Sequence, residues 1–212
     1  MNKKVIIVEG YLASGKSTFA LRLSQSLNIP YLLKDTFKIA LCKSVSISSR
    51  TQSSAFSAVT FDGMMYVMER MMETGAPILL EGNFVPAGVK KVDEAREIRR
   101  LIDQYNYASL DFKFMGDMRV LHQRFLEREK TPERGEANKI GADVPYTTFN
   151  QWCHSLDGFD IGGQTLRVDT TDFGAVDFNR LIESAKEFMS QKQAGSSSVH
   201  STGSMRTQRS DI

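Results

Sequence analysis

Apolar and polar positions follow two alternating rhythms along this chain. Residues 3–9 read Lys-Lys-Val-Ile-Ile-Val-Glu, a short β-branched apolar run that predicts a buried strand. Residues 18–27 then place Phe19, Ala20, Leu23 and Leu27 at helical spacing. Pro30-Tyr-Leu-Leu33 predicts a second strand, stopped by Lys34 and Asp35. Between positions 60 and 73, Phe61, Met64, Met65, Val67, Met68, Met71 and Met72 recur around polar residues, which predicts a buried helix closed by Gly75. Methionine suits irregular gaps, so these residues are expected to fill core. Residues 76–81 (Ala-Pro-Ile-Leu-Leu-Glu) predict a third strand, followed by Gly82-Asn83.

The alternation continues. Val92, Ala95, Ile98, Leu101, Ile102 and Tyr105 mark one stripe of a helix over 90–105, with Arg96, Arg99 and Arg100 interleaved among Asp93, Glu94 and Glu97. Mixed signs of this kind predict a solvated face rather than a nucleic-acid contact. Residues 109–115 form the fourth predicted strand. Asp117 can cap a helix over 118–130, ended by Pro132. A polar stretch covers 131–143, the fifth strand falls at 164–169, and an amphipathic helix over 176–191 starts at Asp177. Strands alternating with helices predict an α/β fold, a parallel sheet with helices on both faces. Its ligand-binding loops should lie at the carboxyl ends of the strands.

Composition adds bounds. The chain has 212 residues, 41% hydrophobic and 25% charged, which suits one soluble α/β domain. A net charge of +2 implies no strong polyanion affinity. Cys42 and Cys153 stand far apart without a C-x-x-C, so a disulfide scaffold or zinc site is not expected, and a cytoplasmic setting is. No targeting signal stands out, and no stretch approaches the roughly 20 apolar residues of a membrane span. Residues 192–212 are rich in Ser, Gly and Thr without periodicity and read as a disordered tail, leaving 1–191 as the domain.

The chemistry lies between the first strand and the first helix. Gly10-Tyr-Leu-Ala-Ser-Gly15-Lys16-Ser17 fits G-x-x-x-x-G-K-[ST] in its required context of strand, glycine loop and helix. Gly10 and Gly15 permit a tight turn. Main-chain N–H groups over Ala13, Ser14, Gly15, Lys16, Ser17 and Thr18 can then converge on an anion at the positive end of the helix. Lys16 supplies a mobile positive charge for β- and γ-phosphates, and the Ser17 hydroxyl can ligate Mg²⁺. The cofactor reading is ATP with Mg²⁺. Near Asn138-Lys-Ile-Gly141 the GTP signature N-K-x-D stops one residue short.

Beyond this motif the chain resembles the small P-loop kinase-like proteins described as AAA-type ATPases, relatives of the zeta-toxin, chloramphenicol phosphotransferase, gluconate kinase and adenylate kinase groups. The resembling pieces are residues 5–18, Asp35-Thr-Phe-Lys38, Ile78-Leu-Leu-Glu-Gly-Asn83, Arg124-Phe-Leu-Glu-Arg128 with Arg134, and Leu166-Arg-Val-Asp-Thr-Thr-Asp172. The resemblance implies a three-layer fold, a five-stranded parallel sheet of order 2-3-1-4-5, and phosphoryl transfer from ATP. It makes Asp35 a candidate base facing the acceptor hydroxyl. It also places Arg124, Arg128 and Arg134 at a lid over about 124–145, whose arginines close over the transferring group, and Asp169 beside the adenine. Glu81 ends an apolar strand as a Walker B acid does, although Asp is commoner there. It is read as an outer-shell metal group or a second candidate base.

Plainer roles compete for several of these residues. Asp35 could cap the segment 36–41, Arg124 and Arg128 could pair with neighbouring glutamates, and Asp169 could simply hold a turn. Lys38 could hold an anionic substrate group. Tyr146 and Trp152 are expected in core packing, and His122 and His154 as structural histidines. The leading function is a kinase acting on a small hydroxyl acceptor. A polynucleotide 5′-hydroxyl kinase and a nucleotide-dependent regulatory protein without transfer activity stand as alternatives. The segment 41–61, rich in Ser, occupies the acceptor position and carries no diagnostic signature. Oligomeric state is left open.

Overall fold

In the computed structural model, residues 2–47, 49–86, 93–131 and 143–191 are described. Five strands form one parallel sheet of order β2-β3-β1-β4-β5, the order expected. They are β1 (Lys4–Gly10), β2 (Tyr31–Leu33), β3 (Ile78–Glu81), β4 (Ala108–Met115) and β5 (Gln164–Asp169). The helices are α1 (Lys16–Leu27), α2 (Lys34–Leu41), α3 (Arg50–Glu73), α4 (Glu94–Tyr105), α5 (Met118–Glu129), α6 (Tyr146–His154) and α7 (Phe178–Ser190). The chain thus carries the α/β fold expected of it.

The centre of the sheet explains the apolar run that opens the chain. β1 lies between β3 and β4, with Val5 paired to Ile78 on one side and Ser109 on the other. All seven of its residues are buried, as a strand covered on both faces requires. Val5 and Ile7 face α3 and α4, where Met64, Met65, Met68 and Met72 pack with Ile98 and Leu101. Ile6 and Val8 face α1 and α7, where Phe19 meets Phe112, Phe114 and Phe178 with ring centroids 5.0–5.5 Å apart. The methionines are core, as expected.

Two boundaries and one helix depart from expectation. The methionine-rich helix begins at Arg50, ten residues earlier than the predicted 60. The hydroxyl of Ser49 accepts from the Gln52 N–H and caps it, and Ser57 and Thr60 donate back to Ser53 and Phe56 carbonyls. This Ser-rich segment has no apolar stripe and none of residues 51–59 is buried, so its helix rests on the Ser49 cap and on Ser53 accepting from Lys38 rather than on an apolar face. Helix α4 starts at Glu94 rather than 90, because Asp93 is its N-cap and accepts from the Arg96 N–H at 2.9 Å. Helix α6 was not predicted. Its Phe149 and Cys153, one turn apart, join Tyr11, Leu121 and Phe125 in a third apolar cluster beside the glycine loop. Trp152 packs on this cluster as expected, whereas Tyr146 is exposed beside His122 and is not core. The expected tail, and most of the polar stretch after α5, lie outside the described residues.

Candidate functional site

The glycine loop is built by geometry that only glycine tolerates. Gly10 has φ +120°, and a Cβ there would sit 2.0 Å from the Phe114 carbonyl oxygen. Gly15 has φ +85°, and its Cβ would meet the Phe173 ring at 2.1 Å. Ala13, between them, also takes a positive φ of 58°, a strained conformation that curls consecutive amides toward one point. Helix α1 begins at Lys16 with Gly15 as its cap and no side-chain cap. Its first amides, including those of Ser17 and the exposed Thr18, thus point at that spot with the positive end of the helix dipole.

Three other elements bring side chains to this loop. One pocket is lined by Ala13, Ser14, Gly15, Lys16 and Ser17 of the loop, and by Asp35, Glu81, Asn83 and Arg128 from elsewhere. Asp35 lies in the first turn of α2, directly after β2. Glu81 ends β3, where it pairs in register with Val8 and Leu33. Arg128 comes from the last turn of α5, and its guanidinium lies 4.0 Å from the Asp35 carboxylate. That pair is 40% and 46% exposed. An ion pair so exposed is worth roughly 0–1 kcal/mol, so it does little for stability and yields readily to a ligand.

The charges inside the pocket are tense. The Lys16 ammonium donates to the Tyr11 carbonyl at 2.5 Å, with Ser14 Oγ at 3.5 Å. Burial lowers its pKa, and Arg128 adds to this; the nearby carboxylates of Glu81, Glu9 and Asp35 oppose it. Burial pushes Glu81 up to about 7, Lys16 pulls it down and Asp35 raises it again. The Ser17 hydroxyl donates to Glu81 Oε1 at 3.2 Å. Hydroxyl and carboxylate side by side, with Asp35 close enough to perturb Glu81, form an oxygen-rich donor set of the kind Mg²⁺ prefers. The curled amides and Lys16 suit phosphate. The residues therefore fit magnesium and a polyphosphate.

Other expected residues are placed differently. Arg124 donates to the Thr170 and Thr171 carbonyls at 2.6 and 2.8 Å, and its guanidinium lies over the Phe173 ring. It pins the turn after β5 rather than lining the pocket with Arg128. Asp169 accepts from the Thr171 N–H and hydroxyl at 2.8 and 2.6 Å, which draws its pKa down. Lys38 is buried and donates to Ser53. His122 bonds the Val144 carbonyl and His154 pairs with Asp157. Arg134 lies outside the described residues. Both cysteines are free and buried. No helix of the described residues is long and apolar enough to cross a membrane.

Sequence reasoning missed Phe173 and undervalued Asn83. Phe173 sits in the 3₁₀ turn Phe173–Ala175 and walls the glycine loop at Gly15. Nothing local in the sequence marks that contact. Asn83 stands two residues beyond the end of β3, a position that already flagged it. Sequence reasoning missed a second polar cluster beneath the loop. Glu9 and Asp111 lie on neighbouring strands, with the Lys113 ammonium 3.6 Å from Glu9. Neither Glu9 oxygen nor Asp111 Oδ1 has a hydrogen-bond partner among the described residues. Burial raises the pKa of both acids.

No protein-family model matches this chain, and no curated protein matches it. Solved structures do. A presumptive kinase from Chloroflexus aurantiacus superposes with a TM-score of 0.77 at 21% identity, covering 88% of this chain and 98% of that one. A sugar kinase from Janibacter sp. gives 0.56 at 14% identity over 88% and 94% of the two chains. Shikimate kinase from Aquifex aeolicus gives 0.53 at 14% identity over 87% and 95%. The fold of this chain is that of the P-loop kinases.

Proposed function

We propose that this chain is an ATP-dependent phosphotransferase that moves the γ-phosphoryl group to a hydroxyl of a small acceptor. The observation that carries the reading is convergence. One pocket unites the glycine loop, a buried lysine, a hydroxyl–carboxylate pair suited to a metal, and an Asp–Arg pair from two other elements. Solved neighbours bearing the names sugar kinase and shikimate kinase support a small hydroxylic acceptor.

The chain's own residues divide the work. The amides of residues 13–18 hold phosphate oxygens, and Lys16 exchanges the Tyr11 carbonyl for them. Ser17 and Glu81 would hold magnesium, which would supply neutralisation of the charge on the transferring group. Glu81 is committed to that side by its bond with Ser17. Asp35 is then the carboxylate left to orient and deprotonate the acceptor. The acceptor oxygen forms the new bond to γ-phosphorus, the bridging P–O bond breaks with its electron pair leaving on ADP, and the hydroxyl proton passes to Asp35. Arg128 leaves Asp35 for the equatorial oxygens, where its planar fork stabilises charge as transfer proceeds. In this reading Arg124 and Phe173 shape the nucleotide side by holding the turn after β5, next to Asp169.

The test is a screen of pooled hydroxyl compounds with γ-labelled ATP and magnesium, run beside Lys16→Ala. Labelled product from the unmodified chain and none from the variant is the expected result. Charge-assisted hydrogen bonds contribute roughly 1.5–3 kcal/mol each, so nucleotide affinity should also fall by at least about tenfold. Label transferred only to oligonucleotide ends, with steep salt dependence, would favour a polynucleotide kinase. Tight nucleotide binding without transfer to anything would favour a regulatory protein. An unaltered rate in Lys16→Ala would refute the assignment.

A further inference from the structure

The glycine loop is shaped from behind as well as by its own glycines. Tyr11 does not line the pocket, yet every polar group it has is engaged. Its N–H donates to the Phe114 carbonyl at 2.8 Å. Its carbonyl accepts from the Ser14 hydroxyl at 2.7 Å and from the Lys16 ammonium. Its phenol donates to Asp157 Oδ1 at 2.6 Å, across 146 positions of sequence. The next two residues, Leu12 and Ala13, border the pocket, and Ala13 holds a φ of 58°. A left-handed alanine persists only where its surroundings fix it. The two glycines give the loop freedom to adopt this shape; they do not hold it there.

Asp157, in the turn after α6, is itself held from several sides. His154 Nδ1 lies 2.9 Å from Oδ2 and donates, since an ionised carboxylate only accepts. Lys113 of β4 donates to the main-chain carbonyl of Asp157 at 2.9 Å, and the Asp157 N–H reaches the His154 carbonyl at 3.1 Å. Burial alone would raise the Asp157 pKa, but the hydrogen bonds from Tyr11 and His154 draw it down. The phenol thus donates to a carboxylate, which makes the stronger kind of bond. Packing does not require that bond. The Tyr11 ring is buried among Leu121, Phe125 and Phe149, where a phenylalanine would fill the same space. What the hydroxyl adds is a fixed orientation for the Tyr11 residue, whose carbonyl carries both Ser14 and Lys16.

Resting on the reading that this loop holds phosphate, we propose that Asp157 is a positioning residue for nucleotide binding. Acting through Tyr11, it keeps residues 11–13 in their strained shape before a nucleotide arrives, so that the amides and Lys16 are set in advance. Asp157 itself touches no phosphate. Without the anchor, Ala13 relaxes toward ordinary backbone, and binding must first restore the loop. That cost appears as lost affinity. A turn whose carboxylate is 46% exposed thereby governs a site that it does not line.

Calorimetry with ADP and magnesium tests the anchor. Tyr11→Phe and Asp157→Ala should each raise Kd about tenfold. The double variant should be no more than about twofold weaker than either, because both cut the same link. Asp157→Asn keeps an accepting oxygen for the phenol and should stay within about threefold of the unmodified chain. Asp157→Ala changes a half-exposed turn and guards against a folding failure of Tyr11→Phe. The decisive arm adds Ala13→Gly. Glycine takes a positive φ without strain, so Tyr11→Phe combined with Ala13→Gly should return to within about threefold of the unmodified Kd. A role in packing alone predicts no such recovery. Kd within twofold of the unmodified chain in both Tyr11→Phe and Asp157→Ala, losses that add in the double variant, or no recovery with Ala13→Gly overturns the anchor and leaves the phosphate reading standing. Absence of ADP binding by the unmodified chain overturns both.

Discussion

The two sides of the pocket are made in different ways. The side proposed for phosphate is almost entirely main chain: residues 10–17 are contiguous, and their shape follows from two glycines with positive φ and one strained alanine. The side proposed for the acceptor is made of side chains brought from the end of β3 and the residues just after it, the start of α2 and the end of α5. A contiguous backbone device has to be written as a local motif, because each residue's conformation is dictated by its neighbours. A constellation from separate elements leaves only scattered residues, which mean nothing until topology joins them.

The first way to break this contrast is to damage the backbone device. In Gly10→Ala the new methyl meets the Phe114 carbonyl, part of the central β1–β4 pairing that also holds the Tyr11 N–H. Neither backbone atom can move cheaply. Strained backbone of this kind costs about 1–3 kcal/mol before the steric overlap is counted. Gly10→Ala should lower stability in urea unfolding by at least that much and abolish nucleotide binding by calorimetry. A variant that still binds nucleotide normally would show that loop shape is not the determinant.

The contrast explains what was legible beforehand. The residues of the glycine loop could be read because a strand and a helix with distinct periodicities flank the motif, whereas the sheet order came from the resemblance to P-loop kinases and not from periodicity. Glu81 and Asp35 were legible as strand-end acids. Helix α6 was not, since Tyr146-Thr-Thr-Phe-Asn-Gln-Trp-Cys-His154 is β-branched and aromatic in its choice of residues and buries only Phe149 and Cys153. The place of Phe173 against Gly15 is a contact across 158 positions with no local signature, and Arg124 looked like a partner for Arg128 because helical spacing says nothing about which neighbour a long side chain reaches.

A second test concerns where the protons sit. Glu81 is raised to about 7, mainly by burial, from an ordinary value of 4.5. A carboxyl whose folded pKa exceeds its unfolded one keeps its proton longer when folded. Its contribution therefore favours folding below about 4.5 and is lost as pH climbs through 7. Glu81→Gln should match the unmodified chain in stability near pH 4 and exceed it near pH 8, by up to about 3 kcal/mol. Function should move the opposite way. On the proposed reading the metal would need the ionised carboxylate, so kcat/KM should rise toward pH 7 in the unmodified chain, and that rise should be missing in Glu81→Gln. A stability gain at pH 4 equal to that at pH 8 would contradict the buried-carboxyl account.

Arg124 sharpens the comparison because it holds the turn that walls the glycine loop and does not line the pocket itself. Its two hydrogen bonds hold the turn that sets Phe173 against Gly15. Arg124→Ala should cost about 1–2 kcal/mol, the range of charge-assisted bonds to carbonyls that water can partly replace. Nucleotide affinity should weaken only several-fold, through loosening of the loop's wall. Loss of affinity comparable to Lys16→Ala would mean that Arg124 meets the nucleotide directly.

The smallest effect belongs to the arginines of α4, far from both sides. Arg100 is tied to Glu97 by contacts as short as 2.6 Å and to Gln104, and Arg96 lies beside Asp93. All of this is on an exposed helix face, where such pairs are worth a few tenths of a kcal/mol. Arg96→Ala combined with Arg100→Ala should shift stability by no more than about 0.5 kcal/mol and leave transfer to the best small acceptor unchanged. The same double variant weighs against the polynucleotide alternative. Arginines that held phosphates along a strand would each contribute to the slope of affinity against salt, whereas arginines already neutralised by their own helix contribute nothing, so the slope of any oligonucleotide binding should be identical with and without them.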